Sequence, residues 1–249
     1  MSGHSKWSQI RRQKGVTDAK RGQLFTKLGR EITLAARQGG GNPEGNFRLR
    51  LAMQKAKEFN MPMENVKRAI DKGTGKAEGI SIDEMMYEGF GPAGVAVLVE
   101  VATDNRNRIA AELRNIFTRN GGNMGEAGCV GWLFEPKGLI TLEAGKDDPD
   151  ELALVAIDAG ADDVKVLDGV VDVYTEPSAL ERVRDALVGK KLNVTSAERT
   201  MLPKTTVDLS ESDALKTLRL IDRLEDYDDV QKVHVNAEFS DEVLERYEG

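Results

Sequence analysis

A chain of 249 residues with 40% apolar and 31% charged side chains is long enough for two or three domains with buried cores, and its longest apolar stretch, 95–99, excludes a membrane helix of roughly 20 residues. The formal net charge of −7 conceals a division, because residues 1–78 hold 17 Lys+Arg against 7 Asp+Glu whereas 79–249 hold 18 against 35. A cationic block joined to an anionic one points to a polyanionic partner, of which nucleic acid is the commonest, and away from a membrane.

Residues 1–17 carry no sustained period and read as a polar arm. From 18 the pattern is helical. Phe25, Leu28, Ile32 and Ala35 form one stripe, and Lys20, Lys27, Arg30 and Arg37 gather opposite it. This first helix is expected to dock by the apolar face and to present its cations on the other. The run Gly-Gly-Gly-Asn-Pro at 39–43 ends it. A second helix is predicted over 45–59, its apolar face including Phe47, Leu51, Ala52 and Phe59. A third lies between Pro62 and Gly73, with Met63, Val66 and Ile70 at i, i+3 and i+7. Residues 18–73 thus make a three-helix unit, and 73–79 make a linker at which the charge changes sign.

Strands are predicted over 83–89 and 94–102, followed by a helix over 105–120 capped by Thr103-Asp104, with Ile109, Leu113, Ile116 and Phe117 on one face. Gly121-Gly122 stops that helix, and 129–135 reads as the next strand. Residues 138–202 follow the ferredoxin-like order β-α-β-β-α-β. Its parts are a strand at 139–143, a helix at 150–159, strands at 164–167 and 170–174 around an Asp168-Gly169 turn, a helix opened by a Ser178–Glu181 capping box, and a closing segment at 193–201. A strand at 205–209, a helix capped by Ser210 and carrying Leu215, Leu218 and Ile221, and a strand at 230–236 complete a second α/β domain, split by the first. The expected fold is α+β multidomain: a helical domain at 1–78, a split ferredoxin-like α/β domain at 79–136 plus 203–249, and a third ferredoxin-like α/β domain at 137–202 inserted in the second.

The basic arm and first helix are the leading candidate site. Lys and Arg neutralise phosphates and release counterions, which gives sequence-independent affinity, and Trp7 offers a face on which a base can stack. The candidate nucleic-acid contacts are Lys6, Trp7, Arg11, Arg12, Lys14, Lys20, Arg21, Lys27, Arg30, Arg37, Lys67 and Arg68. The turn at 60–62 is short enough for a helix-turn-helix, whose third helix offers Asn65, Lys67, Arg68 and Lys72 outward. Three short helices forming a small core is the plainer alternative, and both readings stand. Arg106 and Arg108 fall in a first helical turn, where the dipole disfavours cations, and mark a candidate secondary partner surface.

Other features read blandly. Gly122, Gly125 and Gly128 follow a helix and precede a strand, the wrong context for a phosphate cradle, and read as a turn. The acids at 147–151 suit a helix start, and Glu225, Asp226, Asp228 and Asp229 read as a solvated charge run. The single Cys129 excludes an internal disulfide framework and fits a reducing, cytoplasmic compartment. Arg11-Arg12 is followed by no apolar segment and so is not expected to be an export signal. His4, His234 and Cys129 form no nucleophile–base constellation, and neither a metal cluster nor a cofactor motif is visible. The chain is therefore expected not to be an enzyme, with no cofactor, no metal and no small-molecule substrate. An enzyme reading would gain only if His234 faced a carboxylate in a closed pocket.

The segments Gly3-His4-Ser5-Lys6-Trp7, Asp18-Ala19-Lys20-Arg21-Gly22 and Phe25-Thr26-Lys27-Leu28 resemble the opening of the YebC/PmpR family. The likeness continues, in register over nearly the whole chain, through 60–62, Arg68-Ala69-Ile70, 87–92, 103–108 and Gly121-Gly122-Asn123. Phe90 stands where a Tyr is frequent. The resemblance implies a helical N-terminal domain, two α/β domains and no cofactor. It also implies one of two functions: a DNA-binding transcriptional regulator, as most members are described, or a ribosome-associated translation factor touching ribosomal or transfer RNA. The second is the role of relatives such as a mitochondrial translational activator of cytochrome oxidase, which help synthesis through stalls such as consecutive prolines. The family has no settled catalytic residues to carry over.

Overall fold

The structure is a computed structural model that describes residues 18–77, 81–167 and 169–248. In chain order its elements are α1 (Asp18–Gly39), α2 (Phe47–Glu58), α3 (Met63–Gly73), β1 (Asp83–Phe90), β2 (Ala96–Thr103), α4 (Arg106–Arg119), β3 (Asn123–Met124), β4 (Phe134–Glu143), α5 (Pro149–Asp158), β5 (Asp163–Leu167), β6 (Val170–Thr175), α6 (Leu180–Gly189), β7 (Val194–Pro203), α7 (Glu211–Glu225), β8 (Val230–Val235) and α8 (Asp241–Glu248). They form two compact units. One is Phe134–Lys204, and the other comprises the described residues before and after it. The result is an α+β fold in which N-terminal helices precede two α/β sheets.

The N-terminal helices close on a core of their own. Leu28, Ile32, Ala35 and Ala36 of α1 meet Leu49, Ala52 and Ala56 of α2, Met61, and Val66 and Ala69 of α3. The sealed stripe of α2 is thus Leu49–Ala52–Ala56, whereas Phe47 and Leu51 of the predicted face are only half-buried. Small residues at 52 and 56 let the helices approach closely. Asn46 fixes the corner between α1 and α2. Its carbonyl caps α2 by accepting from the Leu49 N–H, and its amide donates to the carbonyls of Ala35 and Gly40, both at 2.8 Å. Gly73 lies so close to the Thr33 carbonyl that a Cβ there would be 2.8 Å from that of Ala36.

The four-stranded sheet of the unit that includes the N-terminal helices has the order β3-β1-β2-β8, all antiparallel. The layout is ferredoxin-like, but the chain enters by the strand that comes third in a ferredoxin sequence, so its two central strands form the β1–β2 hairpin with no helix between them. The hairpin turns at Ala93 and Gly94, whose φ values are 56° and 78°. Val95, Val97, Val99 and Val101 join Val233 and Val235 beneath Ile109, Leu113 and Phe117 of α4 and Leu218, Ile221 and Leu224 of α7. The opposite residues of β2, Ala96, Leu98 and Ala102, are buried as well, and α1 packs against β8. The second unit has the strand order β5-β6-β4-β7, which is the ferredoxin order, and Gly169 turns the β5–β6 hairpin at φ 79°.

Several local expectations change. The predicted strand at 205–209 is a single parallel bridge between Val207 and Ala237. The strand predicted at 129–135 starts only at Phe134 and runs on through Pro136 and Gly138 to Glu143. Pro136 is tolerated because it pairs only with β7, the β6 pairing beginning at Gly138. The cap of α4 is Asn105, which accepts from the Arg108 N–H, and not Thr103-Asp104. The Ser178–Glu181 box does not form, since Ala179 precedes α6 without a side-chain cap. Ser210 caps α7 as expected, accepting from the Asp213 N–H.

Candidate nucleic-acid interface

The cations of α1 do not all turn outward. Lys27 donates to the carbonyl of Glu225, the last residue of α7, and so occupies an orphan acceptor at the negative end of that helix. Arg30 donates at 2.6 Å to the Asp228 carbonyl and pairs at 2.6 Å with the Asp229 carboxylate. Gln23 reaches the Asp226 carbonyl at 3.3 Å. At the other end of α1, Arg37 donates to the Ile82 carbonyl and the Ser81 hydroxyl. The helix has a second docking face, and Lys27, Arg30 and Arg37 belong to it. The acids at 225–229, read from the sequence as solvated, receive it.

Asp229 is the centre of this contact. Its side chain is 3% exposed, and it accepts from Arg30, from the Thr103 hydroxyl at 2.7 Å and from Arg108 at 2.8 Å. Burial alone would push its carboxyl up, but the hydrogen bonds from Thr103 and Arg108 and the charge of Arg30 hold it below the ordinary aspartate value. Arg108 also pairs with Asp104 at 2.8 Å, and Arg106 pairs with Asp83 at 2.9 Å. The anions that offset these two arginines in the first turn of α4 therefore come from the chain itself. Carboxylates of the chain thus offset both cations, while the side chains of Arg106 and Arg108 stay 64% and 45% exposed.

Sequence reading missed a second clamp. Arg48 of α2 donates to Glu31 of α1 at 2.8 Å and pairs with Glu84 of β1 at 2.5 Å. Burial would depress its guanidinium, but the two carboxylates outweigh that and raise it further. Nothing in the sequence separates Arg48 from its neighbour Arg50, which instead donates to the Pro43 carbonyl at 2.8 Å and lies over the Phe47 ring.

The cations left on the surface lie mainly on the outer sides of α2 and α3. Arg21, Lys57, Lys67, Arg68, Lys72 and Lys76 are exposed. Arg68 meets Glu64 at 3.3 Å, a solvated pair one helical turn apart that screens little of its charge. Lys67 also lines a groove of about 490 Å³ between α2 and α3, whose other walls are Met53, Met63, Glu64, Val66 and Ile70. Lys6, Trp7, Arg11, Arg12 and Lys14 lie outside the described residues, as does the side chain of Lys20.

Elsewhere, the glycine-rich stretch is a turn, with Gly121 and Gly128 at φ 76° and 88°. It is pinned by Glu88, whose carboxylate accepts from the N–H groups of Gly128, Val130 and Gly131 at 2.7–2.8 Å. Burial works against the charge of Glu88, but the three N–H donors prevail and lower its pKa. The same charge, together with burial, pushes the Cys129 thiol up, away from a reactive thiolate. His234 does face a carboxylate, with Nε2 2.7 Å from Glu100. The two lie on neighbouring strands, where Glu100 is paired with Lys232 in register, and they make a cross-strand pair without a nucleophile. Among the described residues, no group of three or more His, Cys, Asp or Glu could hold a metal ion, and no helix is long and apolar enough to cross a membrane.

Comparison with known proteins covers both units. Residues 5–76 match the family model described as the TACO1/YebC protein N-terminal domain, and residues 82–237 match that of the TACO1/YebC second and third domain. A protein of Herpetosiphon aurantiacus is 56% identical over 248 residues, covering 99% of this chain and 98% of its own. One from Chloroflexus aurantiacus is 55% identical over the full length of both chains. Both carry the name "Probable transcriptional regulatory protein". The crystal structure of a conserved hypothetical protein from Aquifex aeolicus superposes with a TM-score of 0.85 at 47% identity, covering 91% of this chain and 94% of that one.

Proposed function

The chain belongs to the TACO1/YebC family, and from that premise we propose that it is a DNA-binding transcriptional regulator, holding phosphates with its N-terminal helical domain. The names of its relatives support a regulatory role. The observation that carries the nucleic-acid part is the exposed row Lys57, Lys67, Arg68, Lys72 and Lys76, which persists after Lys27, Arg30 and Arg37 are assigned to internal contacts. In this reading residues 1–78 form the binding domain, with Lys6, Trp7, Arg11, Arg12, Lys14, Lys20 and Arg21 extending the row. Residues 79–136 plus 203–249, and 137–202, form two α/β domains that stay clear of the phosphates. The protein works in the cytoplasm and catalyses no reaction.

A second reading, a ribosome-associated translation factor touching ribosomal or transfer RNA, is favoured by one observation. Residues 79–249 hold 18 basic against 35 acidic residues and would repel a duplex laid along them. Such a body suits an assembly in which one end of the protein meets nucleic acid. Gel shift on promoter DNA, set against cosedimentation with ribosomes at matched salt, separates the two. For either, neutralising Lys67, Lys72 and Lys76 together lowers the salt slope of binding by about one unit for each phosphate no longer neutralised. An unchanged slope removes the α3 row from the interface.

A further inference from the structure

The groove between α2 and α3 combines an apolar lining with cations at its edge. The stripe Met63–Val66–Ile70 of α3 should face inward throughout, yet only Val66 is sealed. Met63 is 65% exposed, and Met53 of α2 opens onto the same groove. All of the lining except Glu64 and Lys67 is apolar. Residues 47–77 carry eight basic side chains against three acidic ones, and Lys57 shares a face of α2 with Met53, one turn away. The ligand that suits the surface therefore has an apolar body and an anionic edge.

We infer that this groove receives an unstacked nucleobase of a single-stranded or looped nucleic acid, with the neighbouring phosphates on Lys57 and Lys67. The inference rests on the nucleic-acid reading above and narrows it. Shape carries the narrowing. In a duplex the base edges lie at the bottom of a groove, where only a convex protein element reaches them. A concave apolar groove is filled only by a group that protrudes, and an extruded base is such a group. Methionine suits this task, because its unbranched chain adapts to rings of different outline and its sulfur is attracted to aromatic systems. Apart from Glu64 and Lys67 the lining offers only apolar side chains, so contact with the base is mainly to its face and largely indifferent to sequence.

The test measures fluorescence anisotropy of the full-length protein with four probes at matched salt. They are an oligothymidylate and an oligouridylate about twelve nucleotides long, a duplex of the same length, and an acidic amphipathic peptide. Both single strands are expected to bind more tightly than the duplex. Met63→Ala should weaken the single strands about fivefold and leave the duplex unchanged, while Lys67→Ala weakens all three. Met63 is exposed, so its truncation does not threaten folding, and Met53→Ala provides a second variant. Equal affinity for strand and duplex, or equal loss of both in Met63→Ala, overturns the base site and leaves the phosphate row standing. Binding of the peptide that depends on Met63, with strand binding that does not, makes the groove a protein site and also overturns it. Absence of binding to every nucleic acid overturns the phosphate reading and the base site together.

Discussion

Replacing Asp229 by Asn keeps the outline of the side chain and removes one buried negative charge from between two arginines. The carboxylate is 3% exposed and is held by Arg30 at 2.6 Å, Arg108 at 2.8 Å and Thr103 at 2.7 Å. Breaking a fully buried ion pair from one side costs about 3–5 kcal/mol. Here the loss is smaller, because Arg30 keeps the Asp228 carbonyl and Arg108, which is 45% exposed, keeps Asp104. The amide oxygen still accepts one hydrogen bond. A cost of about 2–3 kcal/mol is expected, which lowers Tm by roughly 5–10 °C in a chain of this size. Thermal melts followed by circular dichroism measure it, and a double-mutant cycle with Arg30→Ala isolates the pair, with a coupling of about 1–2 kcal/mol. The pH dependence gives an independent readout. The folded carboxyl is held below its unfolded value of about 3.9, so its contribution is complete above that value and is lost as pH falls through the lower, folded one. Asp229→Asn should flatten that acid limb. If Tm moves by less than about 1 °C, or the two substitutions are additive, Asp229 does not hold α1 and the second docking face of that helix is wrong.

Glu88→Gln removes the charge that three N–H groups share, and should cost about 1–2 kcal/mol and speed amide exchange at Gly128, Val130 and Gly131. In the parent protein the protection factors of the same amides, measured against the intrinsic exchange rate at each pH, should fall as pH drops below the ordinary glutamate value and through the lower folded one, because the folded pKa of Glu88 is depressed. Gly73→Ala should destabilise by about 1–3 kcal/mol despite the better helix propensity of alanine, since its methyl would meet the Thr33 carbonyl and Ala36. Gly22→Ala, with nothing within 4 Å of the new methyl, should stabilise by about 0.5–1 kcal/mol, and denaturant titration of the two glycine variants measures both effects.

What the sequence makes legible is what local periodicity and turn chemistry control. The stripe of Leu28, Ile32 and Ala35, the cap at Ser210, and the hairpin turn at Gly169 each act within a few residues, and the ferredoxin order of the second unit follows from such local signals in succession. The failures are of two kinds. The first is competition between local signals. Thr205–Leu209 reads as a strand but finds one bridge, while the strands expected at 129–135 and 139–143 join into one through Pro136 and Gly138 because the sheet leaves room for them. The second is pairing at a distance. Arg30 and Asp229 are 199 positions apart, and no helical wheel records that the cationic side of α1 will meet the carbonyl end of α7. For the same reason Arg106 and Arg108 look unexplained in sequence and meet Asp83, Asp104 and Asp229 in space.

The charge division along the chain therefore does two jobs, and they draw on different residues. Positive α1 and the negative corner at 225–229 attract each other, so part of the cationic excess fastens the helical block to the corner between α7 and β8. Inside such a contact, with Asp229 buried, attraction is screened far less than between exposed groups. The exposed row on α2 and α3 faces water and salt, where each charge contributes little to stability but retains its full pull on a phosphate chain. Counting Lys and Arg in the first 78 residues merges these populations. Separating them by burial and partner changes which substitutions are informative: those at Lys27 and Arg30 report on folding, and those at Lys57, Lys67 and Lys72 report on binding. A loss of nucleic-acid affinity in Arg30→Ala without loss of stability would contradict that partition, because the guanidinium would then have been available to the phosphates while paired with Asp229.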